Sequence, residues 1–285
     1  FSKSFVHKDV SYESAADANT ANHENKAELK DNLLEIKQNL FELLTNTLFL
    51  LPIDSYIQSV SPLLSIQYEN SVRQHITQSI GERFKFESLE TCPAAMEIMS
   101  VIFENSKSPE STTELVETSL ATINDLVSKF KDSVNTSMLT EALTISTEKI
   151  HSEHTSISIA CLALINNTLQ ILGVKCISFY PKIIPAALNL MKKHENGSDP
   201  LRSQLQIAVV LLFAVVIRKL PMFVVSDLQK IMVAIFFSDE VSEEIKLSVL
   251  KLVVENVDLK EVLKTLHKIW QSDVFEKSNA ALHTN

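Results

Sequence analysis

A polar turn leading into an aliphatic residue recurs along this chain at a nearly constant interval, and that recurrence leaves few folds open. Asp199-Pro200-Leu201-Arg202 opens a helical pattern whose first turn holds an aliphatic residue followed by a base. The same arrangement stands at Glu69-Asn70-Ser71-Val72-Arg73 and at Glu243-Glu244-Ile245-Lys246. Val72 and Leu201 are 129 residues apart, three steps of 43, and Leu201 and Ile245 are 44 apart. Two more starts are therefore predicted near 115 and 158. Leu115 and Ile157 occupy them, so the steps run 43, 42, 44 and 44 residues. A short helical unit cannot bury its apolar face alone, whereas stacked copies share one continuous core.

Each step holds two helical patterns. Leu33, Leu34, Ile36, Leu40, Leu43, Leu44 and Leu48 recur at the three- and four-residue steps of one helix face. Further helices are predicted over 53–66, 70–84, 88–104, 110–131, 136–150, 154–172, 177–193, 200–219, 223–237, 241–256 and 258–271. Pro52, Pro109, Gly173, Asn196-Gly197 and Pro221 punctuate the joints, and Ser238-Asp239 is expected to cap the helix starting at 241. Strand-like alternation is nowhere sustained. A step of 42–44 residues falls within the roughly 40–47 of HEAT and armadillo units. The expected fold is all-α, an α-solenoid of stacked HEAT-like hairpins. Residues 25–272 would form it, with about five repeats and flanking helices. A mobile or irregular segment would cover 1–24 and a tail 273–285. Helices 200–219 and 241–256 must stack as neighbours if this is right.

Glycine supports the same choice. The chain has 3 in 285 residues, where average usage would give about 20. Gly81, Gly173 and Gly197 stand apart, so clustered-glycine phosphate loops and hairpin-rich sheets are excluded. Gly173 and Gly197 fall at helix ends, where a left-handed cap is expected. The longest apolar run, Ile207–Ile217, is 11 residues, well short of the roughly 18 of a bilayer span. It reads as a helix buried on nearly all sides. The chain starts with Phe and reads as a fragment. Sequons at Asn135, Asn166 and Asn196 read as chance matches in a chain with no visible secretory leader.

Net charge is −9, which argues against a general nucleic-acid wrapper. Cys92, Cys161 and Cys176 lack a Cys-x-x-Cys spacing, which points to a reducing compartment. His151-Ser152-Glu153-His154 has neither zinc-hydrolase spacing, so a solvated turn is expected there even with Cys161 seven residues on. No serine sits in a Gly-x-Ser-x-Gly elbow. No catalytic residue, cofactor or metal site is expected. Arg73, Arg202 and Lys246 share a repeat phase. They would line one ridge, pairing with acidic neighbours across repeats or meeting a partner or phosphate. Lys182, Lys192, Lys193, Arg218 and Lys219 are the densest local bases and candidates for the same contacts. Trp270, near Leu263, Leu266 and Ile269, is expected to pack, and Phe179 and Tyr180 to pack at a helix entry.

Some wording is more specific. Leu51-Pro52-Ile53-Asp54, then Tyr56 to Leu64 with Pro62 inside the first helix, then Glu69 to Arg73, resembles a HEAT unit with its kinking proline. Leu172-Gly173-Val174-Lys175 followed by Phe179-Tyr180-Pro181-Lys182-Ile183-Ile184-Pro185 adds an aromatic-Pro-Lys-aliphatic-aliphatic-Pro entry. Both stretches are similar to repeats of the large HEAT-repeat scaffolds of the U-three snoRNP and small-subunit processome. The close likeness covers about 51–84 and 172–191. Val116 and Ser158 depart from it, since they replace the base of the repeat phase.

The resemblance implies an internal segment of a nucleolar, non-catalytic scaffold. Its partners would be other processome subunits and the pre-rRNA–snoRNP particle. Its work would be pre-rRNA transcription and small-subunit rRNA maturation, with no membrane and no small-molecule substrate. Two other readings stay open at this point: a karyopherin-type transport receptor and an RNA-binding helical solenoid.

Overall fold

The computed structural model describes the backbone of residues 14–87, 93–193 and 200–272, with side chains from Lys30 onward except that of Lys193. Among these residues there is no strand. The chain divides into two compact units, one ending at Pro52 and one beginning at Ile53.

The first unit holds a single long helix, α1 (Ser14–Phe49). It starts well before the expected Asn25, inside the stretch read as irregular. Ala15, Ala16, Ala18 and Ala21 explain this, because alanine has the highest helix propensity and no Gly or Pro interrupts 14–49. Leu33, Leu34, Ile36, Leu40 and Leu43 are exposed on it.

The second unit is a stack of hairpins. Its helices are α2 (Ile53–Val60), α3 (Asn70–Phe86), α4 (Pro93–Lys107), α5 (Thr113–Lys129), α6 (Thr136–Lys149), α7 (Thr155–Leu172), α8 (Tyr180–Lys193), α9 (Arg202–Lys219), α10 (Pro221–Val224), α11 (Leu228–Phe236), α12 (Glu243–Asn256) and α13 (Leu259–Trp270). One row runs α3, α5, α7, α9, α12, each packed on the next. The other row starts with α2 and runs through α4 and α6 to α8, α11 and α13, with the 3-10 segment Gly173–Phe179 set between α6 and α8. The repeat phase thus marks the start of every helix in the first row. The expected stacking of 200–219 on 241–256 is the packing of α9 on α12.

The core lies between and within these rows. Leu115, Leu120, Ile123 and Val127 of α5, and Cys161, Leu162, Leu164 and Ile165 of α7, have no accessible surface. Each fully buried aliphatic side chain contributes about 1.5–3 kcal/mol. Helix α9 has neighbours on several sides, and Val209, Val210, Leu212, Phe213, Val216 and Ile217 are buried, with Leu211 left on the open edge. The stretch Thr155–Lys192 is apolar enough by composition to pass for a membrane span, yet 56% of its most apolar window is buried inside the stack.

Local chemistry sets the joints. Thr112, Asn135, Ser242 and Asp258 each accept a backbone N–H of the first helical turn that follows. Ser238-Asp239 does not cap α12; Ser242 does, while the Ser238 hydroxyl donates to the Ile235 carbonyl and closes α11. The predicted helix 53–66 is α-helical only to Val60. Pro62 falls in the first turn of a 3-10 segment, Ser61–Leu64, so the proline changes the helix type rather than bending one helix. The predicted helix 223–237 is two pieces, α10 and α11. Ser226 donates to the Phe223 carbonyl and Asp227 bonds Ser226 and Lys230 at the break. Gly173 ends α7 at φ 54 and ψ −127. Its positive φ matches the expected cap, but that ψ lies far from the left-handed helical region.

Candidate interaction surface

Polar groups bond the rows across successive hairpins at the repeat spacing. The Thr122 hydroxyl donates to the Thr77 carbonyl at 3.1 Å, and Asn167 Nδ2 donates to Asn124 Oδ1 at 2.8 Å. Lys129 Nζ donates to the Phe84 and Glu87 carbonyls. Asn70 Nδ2 donates to the Glu110 carbonyl at 2.9 Å, and Lys107 bridges Glu104 and Glu141. The side chain of Asn135, a sequon asparagine, is engaged in a cap, and that of Asn167 in a seam; Asn196 lies outside the described residues.

The phase-sharing bases are all largely buried, and Arg73 points into a seam. Arg73 is 2% exposed; its Nη1 donates to Asn105 Oδ1 at 2.9 Å and its Nη2 to Asn70 Oδ1. Lys246 is buried and pairs with Glu243 at 2.8 Å. Arg202 is mostly buried, with Asp239 at 4.0 Å. Val116 and Ser158, which replace the base in the other repeats, are buried too, and the Ser158 hydroxyl donates to the Ile150 carbonyl. The position is largely buried whatever residue fills it. That explains why the basic ladder is incomplete in the sequence: an aliphatic or hydroxyl side chain fills the same space.

The other bases separate by helix direction. Lys182 starts α8 while Arg218 and Lys219 end the antiparallel α9, so the three share the edge where first-row helices hand over to second-row helices, and all are exposed. Val174, Ile177, Met222 and Phe223 are exposed on that edge as well. Lys192 is exposed at the far end of α8, on the edge where Arg202 begins α9. Lys193 ends α8, and its side chain lies outside the described residues. Tyr180 joins two hairpins, its hydroxyl donating to Asp227 Oδ2 at 3.3 Å; burial, then Asp227, pushes that hydroxyl well above the usual phenol range.

Burial pushes the Cys161 thiol up to about 12, although Lys149 pulls the other way, so it stays protonated at neutral pH. Burial also raises Cys176. His154 Nε2 lies 3.2 Å from the Thr113 hydroxyl in the α6–α7 turn. Among the described residues no group of three or more His, Cys, Asp and Glu side chains is placed to hold a metal ion. Trp270 corrects an expectation: it is 75% exposed. Val262, Thr265 and Ile269 form the buried face of α13, and Trp270 follows Ile269 by one residue, about 100° further around the helix.

Sequence patterns missed Asn105, Thr122, Lys129 and Gln206 as seam residues. The available signal was spacing. Thr77 and Thr122, and Phe84 and Lys129, stand 45 apart, and Asn124 and Asn167 stand 43 apart.

No family model matches the chain. Curated relatives do. The chain is 40% identical over 263 residues to U3 small nucleolar RNA-associated protein 10 of Saccharomyces cerevisiae, covering 92% of this chain and 14% of that protein. It is 38% identical to the Kluyveromyces lactis protein of the same name and 39% identical to that of Eremothecium gossypii, covering 82% of this chain and 13% of each. It therefore spans about one seventh of the length of these relatives.

Proposed function

From the premise that this chain is homologous to one segment of the proteins named U3 small nucleolar RNA-associated protein 10, we propose that it is a non-catalytic scaffold segment of nucleolar ribosome biogenesis. It contributes to small-subunit processome assembly, and so to pre-rRNA transcription and small-subunit rRNA maturation, by protein contacts along its edges. The observation that carries this reading is the 40% identity over 92% of the chain. The stacked hairpins support it, because such a stack offers extended surface. Protein contact is favoured over a continuous RNA track, since Arg73 is spent inside a seam, Lys246 is buried and paired with Glu243 of its own helix, and net charge is −9.

The test is to tag the parent protein in cells, isolate it, and measure the RNA and proteins that accompany it. U3 small nucleolar RNA together with processome subunits is the expected result. Nuclear transport factors with no small nucleolar RNA would overturn the reading.

A further inference from the structure

Between α8 and α11, at the start of α9, runs a groove of about 500 Å³. Its floor is apolar: Leu188 and Met191 on one wall, Val233, Ala234 and Phe237 on the other. Among the described residues three cations line it, Lys192, Arg202 and Lys230, against one carboxylate, Asp239. Lys192 is exposed at the rim, and Lys230 is exposed while pairing with Asp227 behind it. Among the described residues Arg202 Nε is buried with no hydrogen-bond partner, and the Asp239 carboxylate beside its guanidinium stands at 4.0 Å and is itself highly exposed. The Gln206 side-chain carbonyl accepts from the Glu240 N–H at 3.1 Å.

We propose that this groove docks an acidic peptide segment of another protein, with an aliphatic or aromatic side chain on the Met191–Val233–Phe237 floor and carboxylates on Lys192, Arg202 and Lys230. The charge balance sets the sign of the partner in a chain that is acidic as a whole. A carboxylate at Arg202 supplies the close, directional acceptor that Asp239 does not. An apolar floor between two helices suits a side-chain anchor, whereas a nucleic-acid backbone would leave it unfilled. This deepens the scaffold reading and rests on it for the statement that the partner is a protein.

The experiment displays random short peptides to the purified chain and to Lys192→Glu/Lys230→Glu. Both replaced side chains are exposed, so the fold is kept, which circular dichroism checks. Enrichment of acidic sequences carrying a large apolar residue, with affinity falling about tenfold or more in the variant and with added salt, supports the proposal. Enrichment of basic peptides, no enrichment, or enrichment that survives the variant overturns it. So does a uridine oligonucleotide whose binding is tighter than the peptides' and is lost in the variant, or a self-association that the variant abolishes. A parent protein that keeps its small nucleolar RNA while this chain selects no peptide would sink the groove and leave the scaffold reading standing.

Discussion

Individual side chains in the seams make sharp demands. Arg73 is a buried cation whose acceptors are two amide oxygens, those of Asn105 and Asn70. Asn105→Ala is expected to cost about 2 kcal/mol, read by urea unfolding, because a buried donor loses its acceptor. Arg73→Met in that background should recover part of the loss; no recovery would mean that Asn105 acts through something other than Arg73. Gly81 has a clear reason as well. A methyl group there would meet the Thr122 hydroxyl at 3.2 Å, and that hydroxyl is fixed on the Thr77 carbonyl. Gly81→Ala should therefore destabilise the wild-type chain despite better helix propensity, yet stabilise a Thr122→Ala chain by up to ~1 kcal/mol. Equal signs in the two backgrounds would refute the clash. Cys161 gives a pH signature. Its thiol is raised from 9.0 to about 12 in the folded chain. Between those values the unfolded chain holds fewer protons, so stability falls as pH rises, by at most ~1.4 kcal/mol per pH unit from this group. Cys161→Ala should flatten the slope of unfolding free energy between pH 9 and pH 12. None of this residue detail was legible in the sequence alone, because each effect needs a neighbour tens of positions away.

At the scale of helices, the sequence was far more informative. Val72, Leu115, Ile157, Leu201 and Ile245 marked the starts of α3, α5, α7, α9 and α12 because apolar periodicity and polar turns act locally. The misreadings came where local signals were weak or competed. Val225–Asp227 lacks Gly and Pro, so the break between α10 and α11 was invisible; it is held by hydrogen bonds of Ser226 and Asp227. Ser238 and Ser242 are both plausible caps by residue type, and only the turn geometry decides between them. The groove between α8 and α11 was equally hidden, since it is a gap between helices. Gly173 is an element-scale device: at φ 54 and ψ −127 it turns the chain from α7 into the 3-10 segment, with open space where a side chain would stand. Gly173→Ala should cost ~1–3 kcal/mol from backbone strain alone. Gly173→Asn should give no relief, because asparagine tolerates the left-handed helical region and not this one. Thermal unfolding of the two variants distinguishes them, and a mild Asn variant would contradict the geometry.

For the stack as a whole, position in the row decides local stability. Helices α5, α7 and α9 have stacked neighbours before and after them, whereas α13 leaves Leu259, Leu263 and Trp270 in solvent. Hydrogen exchange should accordingly be slowest in α5, α7 and α9 and should reach α13 early. Protection of α13 equal to that of α7 would show that burial along the row does not govern opening.

The seam bonds carry a further meaning for how such a chain can change over generations. Thr77 with Thr122, Phe84 with Lys129 and Asn124 with Asn167 tie positions one repeat apart. The molecule is thereby ruled in units of its own period. Losing or gaining a few residues inside a helix throws out of alignment the bonds that span the change, while duplicating or excising one whole unit keeps the marks in register. Length is inherited here in whole repeats, and small changes of length are left to the turns.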